Sequence, residues 1–425
     1  MKKILALALA AAMSLSLAAC GGNNNSQGSG SSAKAPGSAG NPGSSSAAPA
    51  GDNADFKVGA IYINSQNDTA GYTFQHHNGI TTAMKDLGMD PATQLLIVDN
   101  VAEDYDAVCS AIDTLASQGA NVIFGISFGY IDAMNDKAGD YTDICFSHAT
   151  GYMANDTNFN NYFGRIYQAR YLAGIAAGLK SVQMGNNAIG YVAAYNTEYA
   201  ETCSGINAFA LGAQSANPEA TVYVKKINKW GDENLERQAA QALVDSYNCG
   251  VISQHCDSAQ PQLVAQENNI FGCGYNSDMT EQAPEGHLTS AIWHWNVYYE
   301  TAIKAAMDCN GDASKFVENM GGNAYYAGLK EGFVDASPVN ETVAAPDTAA
   351  VMDAVRELIK SGEWDVFTGV KLSYTVTDGK VEITRTDADL MDNAGNVIVV
   401  AGGPNLDDGV IKGSMNYNVA GVVEG

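Results

Sequence analysis

Three observations predict an α/β protein built as two lobes. From Phe56 to the region of Trp295, short apolar runs alternate with longer stretches whose apolar residues recur at helical spacing. The order is strand, helix, strand, which parallel sheets with helices on both faces require. The number of such units in 425 residues exceeds what one doubly wound sheet commonly carries, so two lobes joined by several crossings, and therefore a hinge, are expected.

The elements follow in order. FKVGAIYI reads as the first strand, TAGYTFQHHNGITTAMKDLGM as a loop opening a helix, and LLIVDN as the next strand. YDAVCSAIDTLASQGA is helical and stops at Gly119. NVIFGIS and DICFSHAT are strands around the helix YIDAMNDKAGDY, and YFGRIYQARYLAGIAAGLKSV reads as one long helix rich in small residues. The same beat continues through AIGYVAAY, TCSGINAFALGAQSAN, TVYVKKIN and NLERQAAQALVDSYN to GVISQHCDS and IFGCGYNSD. These divide the chain into a first lobe at 56–166 plus about 296–425 and a second lobe at 167–295. In the tail, LSYTVTDGKVEITRT has the alternation and the Asp-Gly turn of a hairpin, and MNYNVAGVVEG is apolar enough to pack.

The amino terminus predicts export and anchoring. Lys2 and Lys3 precede an apolar run that ends in LAAC, a bacterial secretory signal over residues 1–20. Residues 21–55 are almost all Gly, Ser, Ala, Asn and Pro, too poor in large apolar groups to offset the entropy of ordering, and read as a flexible tether. Net charge is −25, which argues against a nucleic-acid partner because phosphate binding needs a basic face. The other seven cysteines are scattered without a C-x-x-C pair, so they fit buried small hydrophobes better than a disulfide framework or a zinc site.

Candidate site residues come from strand ends, where open α/β sheets bind ligands. Ser127 and Phe128 follow NVIFGIS, and His148 stands at the end of DICFSHAT. His255 and Asp257 end GVISQHCDS, while Asn276 and Asp278 end IFGCGYNSD. Asp278 is the leading candidate for a ligand carboxylate, because a charged acceptor makes short, strong bonds to N–H donors. Tyr72 and Trp230 are a candidate stacking pair, one from each lobe. Trp293 and Trp295 are two apart and would share a face on a strand. His76, His77, His148 and His255 raise a metal alternative, but lack the paired spacing of zinc ligands. An enzyme is the other alternative, yet there is no G-x-S-x-G elbow, P-loop or H-E-x-x-H, and Cys256 next to His255 would point to the opposite face of a strand.

Several pieces together look like one family. The LAAC box and polar tether are followed by Asp68, Gly71 and Tyr72 in a DxxG-aromatic loop, then SFGY, FSHATGY, INAFALGAQSANP, KWGDE, QHCDS, GYNSDM and LTSAIWHWNVYY. From Phe56 onward the chain resembles the basic membrane protein family of solute-binding lipoproteins that serve ABC importers. The resemblance implies a type I periplasmic-binding-protein fold of two Rossmann-like lobes, no cofactor and no catalysis, a monomer, and capture of a purine in the interlobe cleft. It also implies diacylation of Cys20 and partnership with an ABC permease in the membrane. Asp68 and Trp230 enter the expected ligand set through it. Two departures matter: Asn276 in GYNSDM stands where the nucleoside-binding branch carries an aspartate, and QHCDS replaces that branch's glycine-rich loop. Loss of a carboxylate that would accept ribose hydroxyls favours a base such as adenine, or another ligand, over a nucleoside. A sensory lipoprotein of the same fold is the alternative within this reading.

Overall fold

The computed structural model describes residues 54–425. The expected leader, Cys20 and the expected tether up to residue 53 lie outside them.

Strands β1 (Val58–Tyr62), β2 (Leu95–Val98), β3 (Val122–Ile126), β4 (Cys145–Ala149) and β5 (Phe159–Gly164) belong to the first sheet. The second holds β6 (Ala188–Ala193), β7 (Thr221–Lys226), β8 (Val251–His255), β9 (Phe271–Asn276) and β10 (His287–Trp293). β11 (Ala324–Ala327) returns to the first sheet, and β12 (Val334–Ala336) to the second. The tail adds a hairpin, β13 (Val370–Thr377) with β14 (Lys380–Asp387), a small pair, β15 (Leu390–Met391) with β16 (Val397–Val399), and a last strand, β17 (Val422–Glu424).

The first sheet has six strands in the order β11-β5-β4-β3-β1-β2, all parallel. The second has seven, β12-β10-β9-β8-β6-β7-β17, parallel except for the β10–β12 pair. Central strands such as β1, β3, β4 and β8 are buried along their whole length, which is why they read as continuous apolar runs rather than alternating ones. The chain passes between sheets after β5, after β10 and after β11. Three crossings make the two-lobed type I fold.

Three expectations need correction. The region expected to finish the first lobe, about 296–425, does so only as far as β11. Beyond it β12 pairs with β10 and β17 with β7, while the hairpin sits on the second lobe through Tyr374 Oη, which donates to Ser215 Oγ at 2.8 Å. Strands of three residues carry no periodicity, and both take edge positions of the second sheet. YFG, expected to start the long helix, instead ends β5 (FNNYFG), and the helix runs Ile166–Met184. Trp293 ends β10 and Trp295 begins the helix Trp295–Met307, so they are not strand mates; their rings nonetheless stack 4.3 Å apart at the crossing.

The predicted hairpin turn is realised with Asp378 and Gly379 both at positive φ, the conformation a two-residue Asp-Gly loop adopts. The small residues of Ile166–Met184 let it lie against the helix Ala200–Ala216. A Cβ on Gly174 would overlap the Phe209 carbonyl, and one on Gly212 that of Tyr171. This close contact fixes the start of Ala200–Ala216, which carries Glu201 into the cleft. Of the seven cysteines, six are buried and Cys109 is half-buried, all with free thiols.

Candidate functional site

The carboxyl ends of both sheets face one cleft. Its narrowest part is a void of ≈ 40 Å³ walled by Ile63, Tyr72, Ser127, Phe128 and Thr150 from the first lobe, and by Glu201, Trp230, His255, Asp257 and Tyr275 from the second. Six of the residues singled out by sequence therefore meet there: Tyr72, Ser127, Phe128, Trp230, His255 and Asp257. The lobes touch directly beside it. Phe128 packs edge-on to Tyr199 with centroids 5.6 Å apart, and Gly71 N–H donates to Ser277 Oγ at 3.2 Å. Gly71 has φ +87, and a Cβ there would overlap the Asp257 carbonyl. Glycine is thus required both by the backbone angle and by the approach of the lobes.

The walls are aromatic and the polar groups among them are acceptors. Tyr72 and Trp230 come from opposite lobes, Trp230 being held edge-on by Tyr195 at 4.8 Å and tilted against Tyr199 at 5.4 Å. His255 is buried, and its Nε2 lies 3.2 Å from Glu201 Oε1. Burial, reinforced by the Arg170 charge, holds its pKa at about 4 against the pull of Glu201. The ring is neutral at pH 7, Nε2–H donates to Glu201, and Nδ1 keeps a bare lone pair with no protein partner. Asp257 is half-buried and receives Asn276 Nδ2 at 3.3 Å. Enclosure, then the nearby Glu236, push its carboxyl well above the usual range, against the Asn276 bond. Asn276 Oδ1 and the Tyr72 hydroxyl are buried without protein partners.

The remaining predicted residues take other places. Asn276 lies beneath Asp257, in the left-handed region at φ 67, which asparagine tolerates. Asp68 borders a wider space next to the slot, with Asp232, Glu233 and Asp257; burial, Glu233 and Asp99 raise its carboxyl. His148 stands behind Ser127, with Nε2 2.7 Å from the Ser127 carbonyl, and burial lowers its pKa to about 4. Ser127 Oγ donates to Glu103 Oε1 at 2.6 Å, so its proton is already committed.

Two expectations are overturned. Asp278 is exposed and caps a turn, accepting Thr280 N–H at 2.9 Å and Thr280 Oγ1 at 2.6 Å. The left-handed bend at Asn276 and the Ser277–Gly71 bond carry the chain out of the cleft one residue earlier. Trp293 is wholly buried, stacked on Trp295, with Nε1 donating to Tyr275 Oη at 3.4 Å. It backs a wall residue instead of facing the void.

Glu201, Tyr275, Thr150 and Ile63 were not singled out. Glu201 follows the apolar run AIGYVAAY and could have been found by the same strand-end rule; Thr150, held at φ 63, carries no sequence signal. Among the described residues no group of three or more His, Cys, Asp or Glu side chains is placed to hold a metal ion. Cys256 is buried, its thiol pushed up first by burial and then by Glu236, with Gln254 Nε2 at 3.8 Å from Sγ.

Residues 56–366 match the sequence profile of the family described as ABC transporter substrate-binding protein PnrA-like. The chain belongs to that family. Every wall residue of the slot lies inside the matched region, and residues 367–425 lie beyond it. A purine-binding protein of Brucella abortus is 36% identical over 314 residues, 74% of this chain and 83% of that one. A protein of Haloferax volcanii, provisionally named an ABC transporter glucose-binding protein, is 38% identical over 256 residues, 60% of this chain and 61% of its own length. Among solved structures, an ABC solute-binding protein of Aeropyrum pernix superposes with TM-score 0.59 at 15% identity, covering 76% of this chain and 94% of that one. One from Conexibacter woesei gives 0.55 at 18%, with 73% and 98% covered. These similarities establish the solute-binding fold. Among the described residues no helix is long and apolar enough to cross a membrane.

Proposed function

We propose that this PnrA-like protein captures a purine base or nucleoside in the interlobe slot and presents the closed form to an ABC permease. The observation that carries the reading is the combination of aromatic side chains from opposite lobes, Tyr72 and Trp230, with two acceptors at the slot, His255 Nδ1 and Asp257. A flat base gains on the order of 1–3 kcal/mol per aromatic stack, and its N–H edge meets the acceptors in an enclosed site, where hydrogen bonds are electrostatically stronger than in water. The Brucella relative's name supports the same ligand class.

Closure is the signal. A ligand shifts the open–closed equilibrium only by its difference in affinity for the two states, and walls drawn from both lobes supply that difference. We further propose that Cys20, at the end of LAAC, is lipidated and that residues 21–55 tether the receptor outside the cytoplasmic membrane as a monomer. No covalent step, cofactor or metal enters this reading.

A thermal-shift panel of adenine, adenosine, guanosine, cytidine, glucose and Zn²⁺ tests it, because a ligand bound only by the folded state raises Tm. The expected result is stabilisation by a purine or purine nucleoside. Stabilisation by glucose alone, or by Zn²⁺ alone, contradicts the reading.

A further inference from the structure

The segment after residue 366, which lies beyond the family match, touches both lobes, and its two attachments differ in kind. The hold on the second lobe is buried and largely main-chain. β17 pairs with β7. Asn207, on the helix Ala200–Ala216, donates to the Tyr417 carbonyl at 2.7 Å and accepts Val419 N–H at 2.9 Å, and Gln214 on the same helix donates to the Ala420 carbonyl at 2.8 Å. The short helix Asp408–Gly413 packs on Ala200–Ala216, with Ile411 and the following Met415 buried.

The hold on the first lobe consists of side-chain tips. Arg165 moves with that lobe, because its N–H donates to the Ala327 carbonyl of β11 at 2.7 Å and its Nη1 to that of Tyr326 at 3.2 Å. Its Nε and Nη2 donate to the two carboxylate oxygens of Asp408 at 3.0 and 2.5 Å, a two-point, charge-assisted contact. Lys412 Nζ and Arg165 Cζ lie 4.5 and 5.0 Å from the centroid of the Tyr326 ring, within reach of cation–π attraction. The Arg165 and Asp408 side chains are 26% and 35% exposed, so water reaches this attachment. The helix itself lies between the lobes: Gly409 and Lys412 line the same space as Phe163 and Tyr325 of the first lobe and Glu198 and Ala200 of the second.

We infer that this C-terminal segment is a strap, which travels with the second lobe and whose ionic end grips the first lobe when the cleft is closed, so that the ligand-free receptor is biased toward the closed form. The inference deepens the closure reading above and is independent of which solute binds. A contact favours one state by the difference it makes between the two. The Arg165–Asp408 and Lys412–Tyr326 contacts are made with the lobes touching at Phe128–Tyr199 and at Gly71–Ser277. Parting the lobes takes Arg165 and Tyr326 away from a segment whose other end is paired into the second sheet. The side-chain end is the one that yields, which makes it a releasable clasp. Apparent affinity scales with the population of the binding-competent form, so the strap also tightens binding without touching the ligand.

Small-angle scattering on the ligand-free protein tests the strap with no solute present. Asp408→Asn should enlarge the radius of gyration relative to the parent, and Asp408→Glu, which keeps the charge, should stay close to the parent value. Raising salt from about 0.1 M to about 1 M, which shortens the screening length from about 10 Å to about 3 Å, should expand the parent and leave Asp408→Asn unchanged. Lys412→Ala leaves the start of the helix alone and should expand the ligand-free form in the same direction, which keeps the test readable if Asp408→Asn loosens the tail. Calorimetry with adenine as the probe should give about 3-fold weaker binding for either Asp408→Asn or Lys412→Ala, the size expected of a partly exposed contact, with Tm close to that of the parent. Ligand-free scattering that neither variant nor salt moves overturns the strap and leaves the purine reading untouched. Adenine that binds no form counts against the purine reading alone, and the scattering still decides the strap.

Discussion

The ends of β8 and β9 lie side by side in one sheet and look alike in sequence, QHCDS against GYNSD, yet they do different work. At the end of β8, Asp257 turns into the cleft and has one protein hydrogen-bond partner, Asn276, while His255 keeps Nδ1 bare. At the end of β9, Asn276 bends into the left-handed region, Ser277 bonds the first lobe, and Asp278 satisfies its own turn in solvent. The difference teaches that a strand-end carboxylate is a ligand group when the fold leaves it short of partners and enclosed. One that caps a turn has already found its donors.

The same contrast separates the tryptophans and gives the largest expected effect. Trp293 is packed on all sides, so Trp293→Ala should cost about 3–5 kcal/mol of stability by urea denaturation. A smaller loss, with binding abolished instead, would put Trp293 in the site after all. Acid should act at both strand ends. Burial holds His255 at the end of β8 and His287 behind the end of β9 near pKa 4, whereas an unfolded histidine titrates near 6.5. Between those values the unfolded chain takes up protons that the folded chain refuses, so stability is lost as pH falls from about 6.5 toward 4, by roughly 3 kcal/mol per histidine at the lower end. His255→Gln should flatten part of that slope in a urea series from pH 7 to 4.5; an unchanged slope would mean the ring is not held neutral.

Closure depends on Gly71 lying against Asp257. Gly71→Ala is expected to weaken adenosine binding about 100-fold, or about 2.7 kcal/mol, and small-angle scattering should show the lobes apart at saturating ligand for the parent. Compaction equal to that of the parent would remove Gly71 from the account. Trp230, half-buried over the void, should behave opposite to Trp293: Trp230→Ala should cost 1–3 kcal/mol of binding with Tm changed by no more than a few degrees.

Much of the architecture is legible in sequence because it rests on local patterns. Buried parallel strands read as apolar runs, the Asp-Gly hairpin as alternation around a turn, and six of the slot's ten wall residues as strand-end polar groups or flanking aromatics. What stayed hidden depends on distant parts of the chain. The bond that leads Asp278 away from the cleft joins Ser277 to Gly71 across the two lobes. The YFG half of β5 reads as the head of the following helix because FNNYFG neither alternates nor forms an apolar run, and β12 and β17 are too short to carry a period. Trp293 and Trp295 share a stack although a strand and a helix meet between them, which spacing alone could not show. Glu201 was legible in principle, since it follows an apolar strand, but at the second position of a helix it passes for an ordinary first-turn acid.

The central claim is that the β8 carboxylate, and not its β9 counterpart, holds the ligand, and calorimetry on Asp257→Ala and Asp278→Ala with adenosine tests it most directly. The account predicts at least a 100-fold loss of affinity for Asp257→Ala, with Asp278→Ala within 2-fold of the parent and only about 1 kcal/mol less stable. Parent-like binding by Asp257→Ala, or a comparable loss in Asp278→Ala with its fold intact, would contradict it.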